Sequence, residues 1–208
     1  MKQEQKTQIS KEHVIKTAIS EFGTYGYAAA SINRICQNGG ISKGKLYHHF
    51  QGKAEIYYKT IVYCYGAFSA HMQQFHIDET ADFEANLLKL YDLFRRFWEQ
   101  NPEMLNLFVE SRTFPPQELA EEIMRVRTQF FNEAVKEQLR TIVLFHFPND
   151  ERQQRVLVGL FYTAIDYITT NIGTPEVHPQ QSLTGYIDAQ NELFRTAIHI
   201  FLYGCMNL

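Results

Sequence analysis

SINRICQNGGISKGKLYHHFQGK, residues 31–53, is the stretch that decides the fold. It begins with Ser31, whose hydroxyl is suited to accept a hydrogen bond from an early helix amide. Gly39 and Gly40 then interrupt the helical pattern, because glycine adopts left-handed backbone conformations without steric cost. Ser42 is a second capping residue, and another short helix follows it. Two short helices joined by a tight turn are the helix-turn-helix motif.

The second of these helices carries side chains that suit contact with DNA. The amino-terminal end of a recognition helix meets base edges and phosphates in the major groove. Lys53 is expected at the start of the next helix, where free amides and an ammonium group favour an anion. The alternative is a solvated basic turn on another kind of helical protein. The predicted DNA-binding residues are Ser31, Ser42, Lys43, Gly44, Lys45, Tyr47, His48 and Lys53.

This stretch resembles the signature of the TetR/AcrR family of one-component transcriptional repressors. The resemblance extends over residues 15–58 and is strongest in GISKGKLYHHFQGKAEIY, residues 40–57, which is similar to the family pattern G-V-S-K-G-T-L-Y-x-H-F-x-x-K-x-x-L. Cys36, Gly39 and Lys45 depart from the residues that are usual in the family. Lys45 adds a charge to the DNA-facing helix and therefore bears on which base sequence is preferred.

Charge is divided between a basic beginning and an acidic remainder. Residues 1–60 contain nine Lys and Arg and four Asp and Glu, whereas residues 61–208 contain 11 and 19, so the net charges are +5 and −8. A DNA-binding head on a body that does not bind DNA is expected to show this asymmetry. We therefore predict a helix-turn-helix DNA-binding domain at 1–52 and a ligand-binding and dimerisation domain at 53–208.

Helical periodicity predicts an all-α fold of about nine helices, with a three-helix head followed by a helical body. Hydrophobic residues make up 45% of the 208 residues, which is enough for a packed core. The first nine residues are polar and are expected to fray. The predicted helices outside the motif are 11–22, 53–76, 81–100, 103–112, 117–145, 150–171 and 182–206.

Several features favour a cytoplasmic protein without a membrane segment. The chain has no run of 18 apolar residues, and its first residues lack the apolar core of a signal peptide. The three cysteines are far apart and predict neither a disulfide framework nor a metal site. We expect no cofactor.

The last two long helices predict a homodimer. The helix at 150–171 is apolar on nearly all sides, so both of its faces require burial. Together with the helix at 182–206, two copies would form a four-helix interface, and the family resemblance implies the same arrangement. A buried core helix in a monomer is the alternative. A twofold dimer places two recognition helices about 34 Å apart, the spacing that reads a palindromic operator.

The body is rich in aromatic residues, and core packing accounts for most of them. The family resemblance implies that an inducer binds between the helix at 53–76 and the body helices. Such a pocket is expected to be largely apolar with a few polar anchors. The predicted ligand-binding residues are Phe94, Trp98, Phe108, Arg112, Phe130, Tyr162 and Asp166.

Sequence motifs for catalysis are absent, since the chain has no G-x-S-x-G, P-loop or H-E-x-x-H pattern. We therefore expect no enzyme. The favoured interpretation is a ligand-responsive regulator, a repressor that binds a palindromic operator as a dimer and is released by a small apolar or aromatic inducer. One alternative is a non-inducible architectural DNA-binding dimer. The other is an enzyme or carrier that functions through its helical pocket.

Overall fold

The computed structural model describes residues 2–171 and 183–204, with side chains at 11–169, 185 and 188–204. Its helices are α1 (Lys2–Ala29), α2 (Ile32–Asn38), α3 (Lys43–His49), α4 (Lys53–Met72), α5 (Phe83–Gln100), α6 (Pro102–Thr113), α7 (Ala120–Val126), α8 (Glu133–His146), α9 (Glu151–Asn171) and α10 (Leu183–Tyr203). None of these described helices has the length and apolar character to cross a bilayer.

A 3₁₀ turn (Gln117–Leu119) precedes α7, and a π-helical segment (Arg127–Asn132) joins α7 to α8. The predicted helix at 117–145 is therefore a continuous run with a widened turn in its middle, for which the sequence pattern gives no signal. With that run counted as one helix, the described ranges hold nine helices. The predicted all-α fold is confirmed.

α1 is longer at both ends than the predicted helix at 11–22. It begins at Lys2, so the expectation of a frayed start is wrong, because the residues before Ser10 are mostly good helix formers. It also continues to Ala29, with a kink at Gly26, where φ is 69° and ψ is 170°. This left-handed conformation favours glycine.

Other helix boundaries differ from the prediction by a few residues. α4 ends at Met72, where a tight turn with a Phe75 N–H to Met72 O bond of 3.1 Å replaces the last predicted turn. α5 begins after Asp82, whose Oδ1 accepts a hydrogen bond from Ala85 N at 2.8 Å. The predicted ends of the last helix, Ser182 and Met206, lie outside the described residues.

The helices pack into two compact units, which are described separately. The first comprises residues 1–67 and 101–128, and the second comprises 68–100 and 129–208. α4 contributes its first part to the first unit and its last turn to the second. The domain boundary at 52/53 stays a prediction.

The core of the first unit gathers apolar residues from the helix-turn-helix and from the helices before and after it. α1 packs against α2 and α6, and α2 packs against α3. The Phe22 and Tyr57 rings meet edge to face at 5.0 Å. The buried residues include Val14, Ala18, Phe22, Ile35, Ile41, Leu46, Phe50, Ile56 and Tyr57.

The core of the second unit is centred on Phe68. Its ring stacks on Trp98 at 5.2 Å and on Phe131 at 4.9 Å, and meets Phe94 edge to face at 5.5 Å. α8 packs against α5 and α9, and α10 packs against α5 and α9. Aromatic packing therefore holds this unit together.

Candidate nucleic-acid interface

α2 begins at the predicted capping residue. Ser31 has an extended backbone, and its Oγ accepts a hydrogen bond from Asn33 N at 3.2 Å. The Ser31 N–H donates to Glu21 Oε1 at 2.7 Å. An N-cap satisfies an amide that has no partner inside the helix. Together the two bonds fix the point at which α2 follows α1.

The turn between α2 and α3 is closed by backbone hydrogen bonds. Gly40 N–H donates to Gln37 O at 3.3 Å, and Ile41 N–H donates to Cys36 O at 2.8 Å. Gly40 has φ of 58°, so this position favours glycine. Ile41 then returns to the core and is buried.

α3 presents one face to the core and the other to solvent. Ser42 caps the helix through an Oγ that accepts a bond from Lys45 N at 3.2 Å. Leu46 is buried, as is Phe50 directly after the helix. The exposed residues include Ser42, Lys43, Gly44, Lys45, Tyr47 and His48. Six of the eight predicted DNA-binding residues therefore lie on one exposed surface, which we call the α3 face.

Ser31 and Lys53, the other two predicted residues, are half-buried. Lys53 is the first residue of α4, and its Nζ donates to Ala28 O at 3.0 Å. The same ammonium lies 4.9 Å from the centre of the Tyr27 ring. Lys53 therefore joins the start of α4 to the end of α1.

The α3 face is electropositive. Residues 31–53 include four Lys and Arg and no Asp or Glu. Burial lowers the pKa of His49, and the positive charges of His48, Lys11 and Lys45 lower that pKa further. A surface that disfavours an additional proton attracts anions such as backbone phosphates.

An ion pair between the half-exposed Arg34 and the buried Glu21, which the sequence analysis did not identify, joins α1 to α2. Glu21, only 2% exposed, accepts hydrogen bonds from Arg34 Nε at 2.8 and 3.1 Å. Arg34 also donates to Ala29 O at 2.7 Å. Glu21 follows the buried Ala18 by three positions, so the helical spacing already places it on the core-facing side of α1.

The sequence analysis also did not identify Glu110 of α6. This residue holds α1 and α4, the helices before and after the helix-turn-helix. Its Oε1 accepts a hydrogen bond from Tyr27 N at 2.7 Å, and its Oε2 accepts one from the Tyr57 hydroxyl at 3.0 Å. Asn106, one turn earlier, donates to Gly23 O at 2.9 Å. These partners lie far from α6 in sequence, so no local pattern signals the contact.

The tyrosines at this contact have raised pKa values. Burial, followed by the hydrogen bond to Glu118, raises the pKa of Tyr27 to about 12. Burial and the charge of the Glu110 carboxylate raise the pKa of Tyr57 well above its usual range. Both phenols therefore remain protonated donors near neutral pH.

The predicted ligand-binding residues are distributed over both units. In the first unit, Phe108 is buried and the Arg112 guanidinium lies 5.0 Å from the centre of its ring. In the second unit, Phe94 and Trp98 are buried and their rings meet at 6.2 Å. The other three predicted residues of the second unit, Phe130, Tyr162 and Asp166, are half-buried. A common ligand site for these seven residues stays a prediction.

The chemistry of the α3 face is that of nucleic-acid contact. Ammonium groups, hydroxyls and backbone amides at a helix start form hydrogen bonds to phosphates and base edges. Residues 14–58 match the family described as bacterial regulatory proteins, tetR family. Residues 14–58 therefore belong to the TetR family of bacterial regulatory proteins. All eight predicted DNA-binding residues lie within the matched range.

Curated relatives of this chain are DNA-binding transcriptional regulators, not enzymes. IcaR of Staphylococcus epidermidis, the HTH-type negative transcriptional regulator of the biofilm operon icaADBC, is 25% identical over 130 residues. YxaF of Bacillus subtilis, an uncharacterized HTH-type transcriptional regulator, is 36% identical over 74 residues. The alignment with IcaR spans 61% of this chain and 68% of IcaR. The alignment with YxaF spans 35% of this chain and 38% of YxaF.

Solved structures share the fold over most of the chain. The structure of FadR from Bacillus subtilis, in complex with stearoyl-CoA, aligns with this chain with a TM-score of 0.65 at 16% sequence identity. The alignment covers 93% of this chain and 98% of the FadR chain. A TetR transcriptional regulator from Chloroflexus aurantiacus has a TM-score of 0.61 at 21% identity, with 95% and 97% covered. At these identities the likeness shows the fold alone.

Proposed function

We propose that this TetR-family regulator is a ligand-responsive repressor that binds a palindromic operator as a homodimer. The observation that carries the proposal is the α3 face, a capped helix start whose exposed side chains are basic or hydrogen-bonding. Repression is supported by IcaR, which is a negative transcriptional regulator. A cytoplasmic location follows, since the regulator must reach its operator.

Within the proposal, the residues of the α3 face divide into two roles. Lys45 reads base edges, because it lies near the start of α3, where a recognition helix meets the bases. Lys43, Tyr47 and His48 bind phosphates, which fix the register of the helix on the duplex. Gly44 allows the backbone to approach closely, since no atom lies within 4 Å of the position that a Cβ would take.

Dimerisation through α9 and α10 is supported by the exposed apolar residues of these helices. Val156, Leu160 and Tyr167 are 52%, 42% and 63% exposed, and their spacing places them on one face of α9. On α10, Leu193 and Phe201 are also exposed. Apolar side chains in this pattern on two adjacent helices match the requirements of an isologous four-helix interface.

Release by a small apolar or aromatic ligand is supported by the FadR structure, which is a complex with stearoyl-CoA. The proposed ligand residues remain Phe94, Trp98, Phe108, Arg112, Phe130, Tyr162 and Asp166. A ligand releases DNA only to the extent that it prefers the state in which the two α3 faces do not fit the operator. α4 is the proposed connection, because it runs directly from Lys53 into the body.

The test is affinity selection of random-sequence duplexes by the purified full chain. A palindrome with half-site centres about 10 bp apart supports the proposed repressor. No enrichment of any sequence would contradict it and favour the non-inducible architectural dimer. A thermal-shift screen of apolar and aromatic compounds, followed by displacement of the selected duplex, then tests whether the regulator responds to a ligand.

A further inference from the structure

A groove between α8 and α9 in the second unit shares only Tyr162 with the proposed ligand residues, and the proposed function does not use its charged side chains. Its volume is about 390 Å³, which lies in the usual range for small-molecule sites. Lys136 and Arg140 contribute cations from α8, and Arg155 contributes one from α9. None of the described residues that line the groove is Asp or Glu.

This concentration of cations opposes the charge of the surrounding chain. Residues 61–208 contain 11 Lys and Arg against 19 Asp and Glu, yet three of the 11 cations line this groove. Lys136 and Arg140 are also four residues apart on one helix, an arrangement of like charges that destabilises a helix. The Glu133 carboxylate offsets part of this repulsion, and a bound anion would offset more of it.

Two carboxylates reach the cations, but only at long distances. Glu133 lies 3.6 Å from Lys136 Nζ and 3.7 Å from an Arg140 nitrogen, and Glu151 lies 3.6 Å from an Arg155 nitrogen. Charge-assisted hydrogen bonds are about 2.7–2.9 Å long. Solvent-exposed pairs of this kind contribute little, so the groove keeps a positive character.

Apart from the cations and Gln154, the lining of the groove is mainly apolar. Val143 is buried, and Val158 and Tyr162 are half-buried. Lys136 Nζ lies 4.6 Å from the centre of the Tyr162 ring, where the aromatic face attracts a cation. At Gly159, no atom lies within 4 Å of the position of a Cβ, so the groove is open there.

We propose that this groove binds a small anionic amphiphile, a carboxylate or phosphate ester attached to an apolar acyl or aromatic group. The three cations hold the anion, and the apolar floor accepts the remainder of the molecule. Viewed down the axis of α9, Arg155 and Tyr162 are separated by about 100° or more from Val156, the first residue of the proposed dimer face. The site and the dimer therefore use different sides of α9.

Isothermal titration of the purified full chain with 1-naphthoate and with the neutral 1-naphthamide tests the charge requirement. We expect 1-naphthoate to bind at least about tenfold more tightly than the amide. Arg140→Gln is expected to remove most of that difference. The matched control is Arg125→Gln, since Arg125 is an exposed arginine on α7 with its own i−4 glutamate partner. This control is expected to bind 1-naphthoate as the wild type does.

Gly159→Leu tests the location independently of charge. Leucine favours a helix more than glycine does, so α9 is expected to form, while the new side chain fills the groove. We expect this variant to lose 1-naphthoate binding while its mass by light scattering matches that of the wild type. Equal affinity for the acid and the amide, or unchanged binding in both Arg140→Gln and Gly159→Leu, would overturn the proposal. So would evidence that a second copy covers the groove, namely binding that appears only after dilution to monomer.

Discussion

The Glu110 carboxylate of α6 accepts a hydrogen bond from the Tyr57 hydroxyl of α4 at 3.0 Å, within the first unit. Its other oxygen accepts the Tyr27 N–H, directly after the kink at Gly26 in α1. One carboxylate therefore holds the helix that precedes the helix-turn-helix and the helix that follows it. The placement of the α3 face depends on both helices, so Glu110 positions the proposed DNA-binding surface without belonging to it.

Glu110→Gln is expected to lower the free energy of unfolding by about 1–3 kcal/mol. The substitution keeps the side-chain shape but replaces a charged double acceptor with an amide that has a single acceptor oxygen. Urea denaturation of both proteins measures the difference. The exposed Glu121 of α7 provides the control, and Glu121→Gln is expected to change stability by less than about 0.5 kcal/mol. Equal stability of the two variants would show that the Glu110 bonds contribute nothing.

Stability is expected to decrease as the pH rises above about 10, the ordinary pKa of tyrosine. The pKa values of Tyr27 and Tyr57 are raised in the folded chain, that of Tyr27 to about 12. The unfolded chain therefore loses these protons first and binds fewer of them, so the stabilisation is complete below pH 10 and is lost above it. The urea concentrations at the unfolding midpoint at pH 8 and at pH 11 give the slope of stability against pH. Tyr57→Phe is expected to reduce that slope, and an unchanged slope would contradict this assignment.

The helix-turn-helix was predictable from sequence because its determinants are local. Ser31 and Ser42 cap helices that begin directly after them, and Gly40 supplies the left-handed turn. The Glu110 contacts were not predictable, since its partners lie 53 and 83 positions away. The π-helical segment at Arg127–Asn132 interrupts a regular apolar pattern that predicts an ordinary helix.

Glu21→Ala is expected to destabilise the chain by about 1–3 kcal/mol, because it leaves the Ser31 N–H and the Arg34 side chain without their buried acceptor. Thermal unfolding followed by circular dichroism measures the loss. Glu122→Ala, at an exposed position of α7, is the control. If both variants unfold at the same temperature as the wild type, the ion pair does not hold α2 on α1.

Leu160→Glu is expected to shift the proposed dimer towards monomer, since it introduces like charges at the centre of an isologous interface. Light scattering after size-exclusion chromatography measures the mass. Met124→Glu is the matched control, because Met124 is equally apolar and exposed but lies on α7. A dimeric Leu160→Glu protein would place the interface elsewhere.

Lys45→Ala is expected to change the preferred base sequence, whereas Tyr47→Ala is expected to weaken binding to all duplexes by a similar factor. Competition among single-base variants of the selected duplex measures both effects. Lys53→Ala is a less clean probe, because Lys53 also donates to Ala28 O and its removal affects the packing of α4 on α1. An unchanged ranking of duplexes by Lys45→Ala would contradict its role in reading bases.

The most direct measurement is a footprint of the purified protein on the DNA upstream of its own gene at two salt concentrations. We expect protection of a palindromic site whose two half-sites are about one helical turn apart. We also expect this protection to weaken steeply as salt increases, because Lys and Arg displace counterions from phosphates. No protection at any sequence, even at low salt, would contradict the assignment of residues 31–53 as a DNA-reading element.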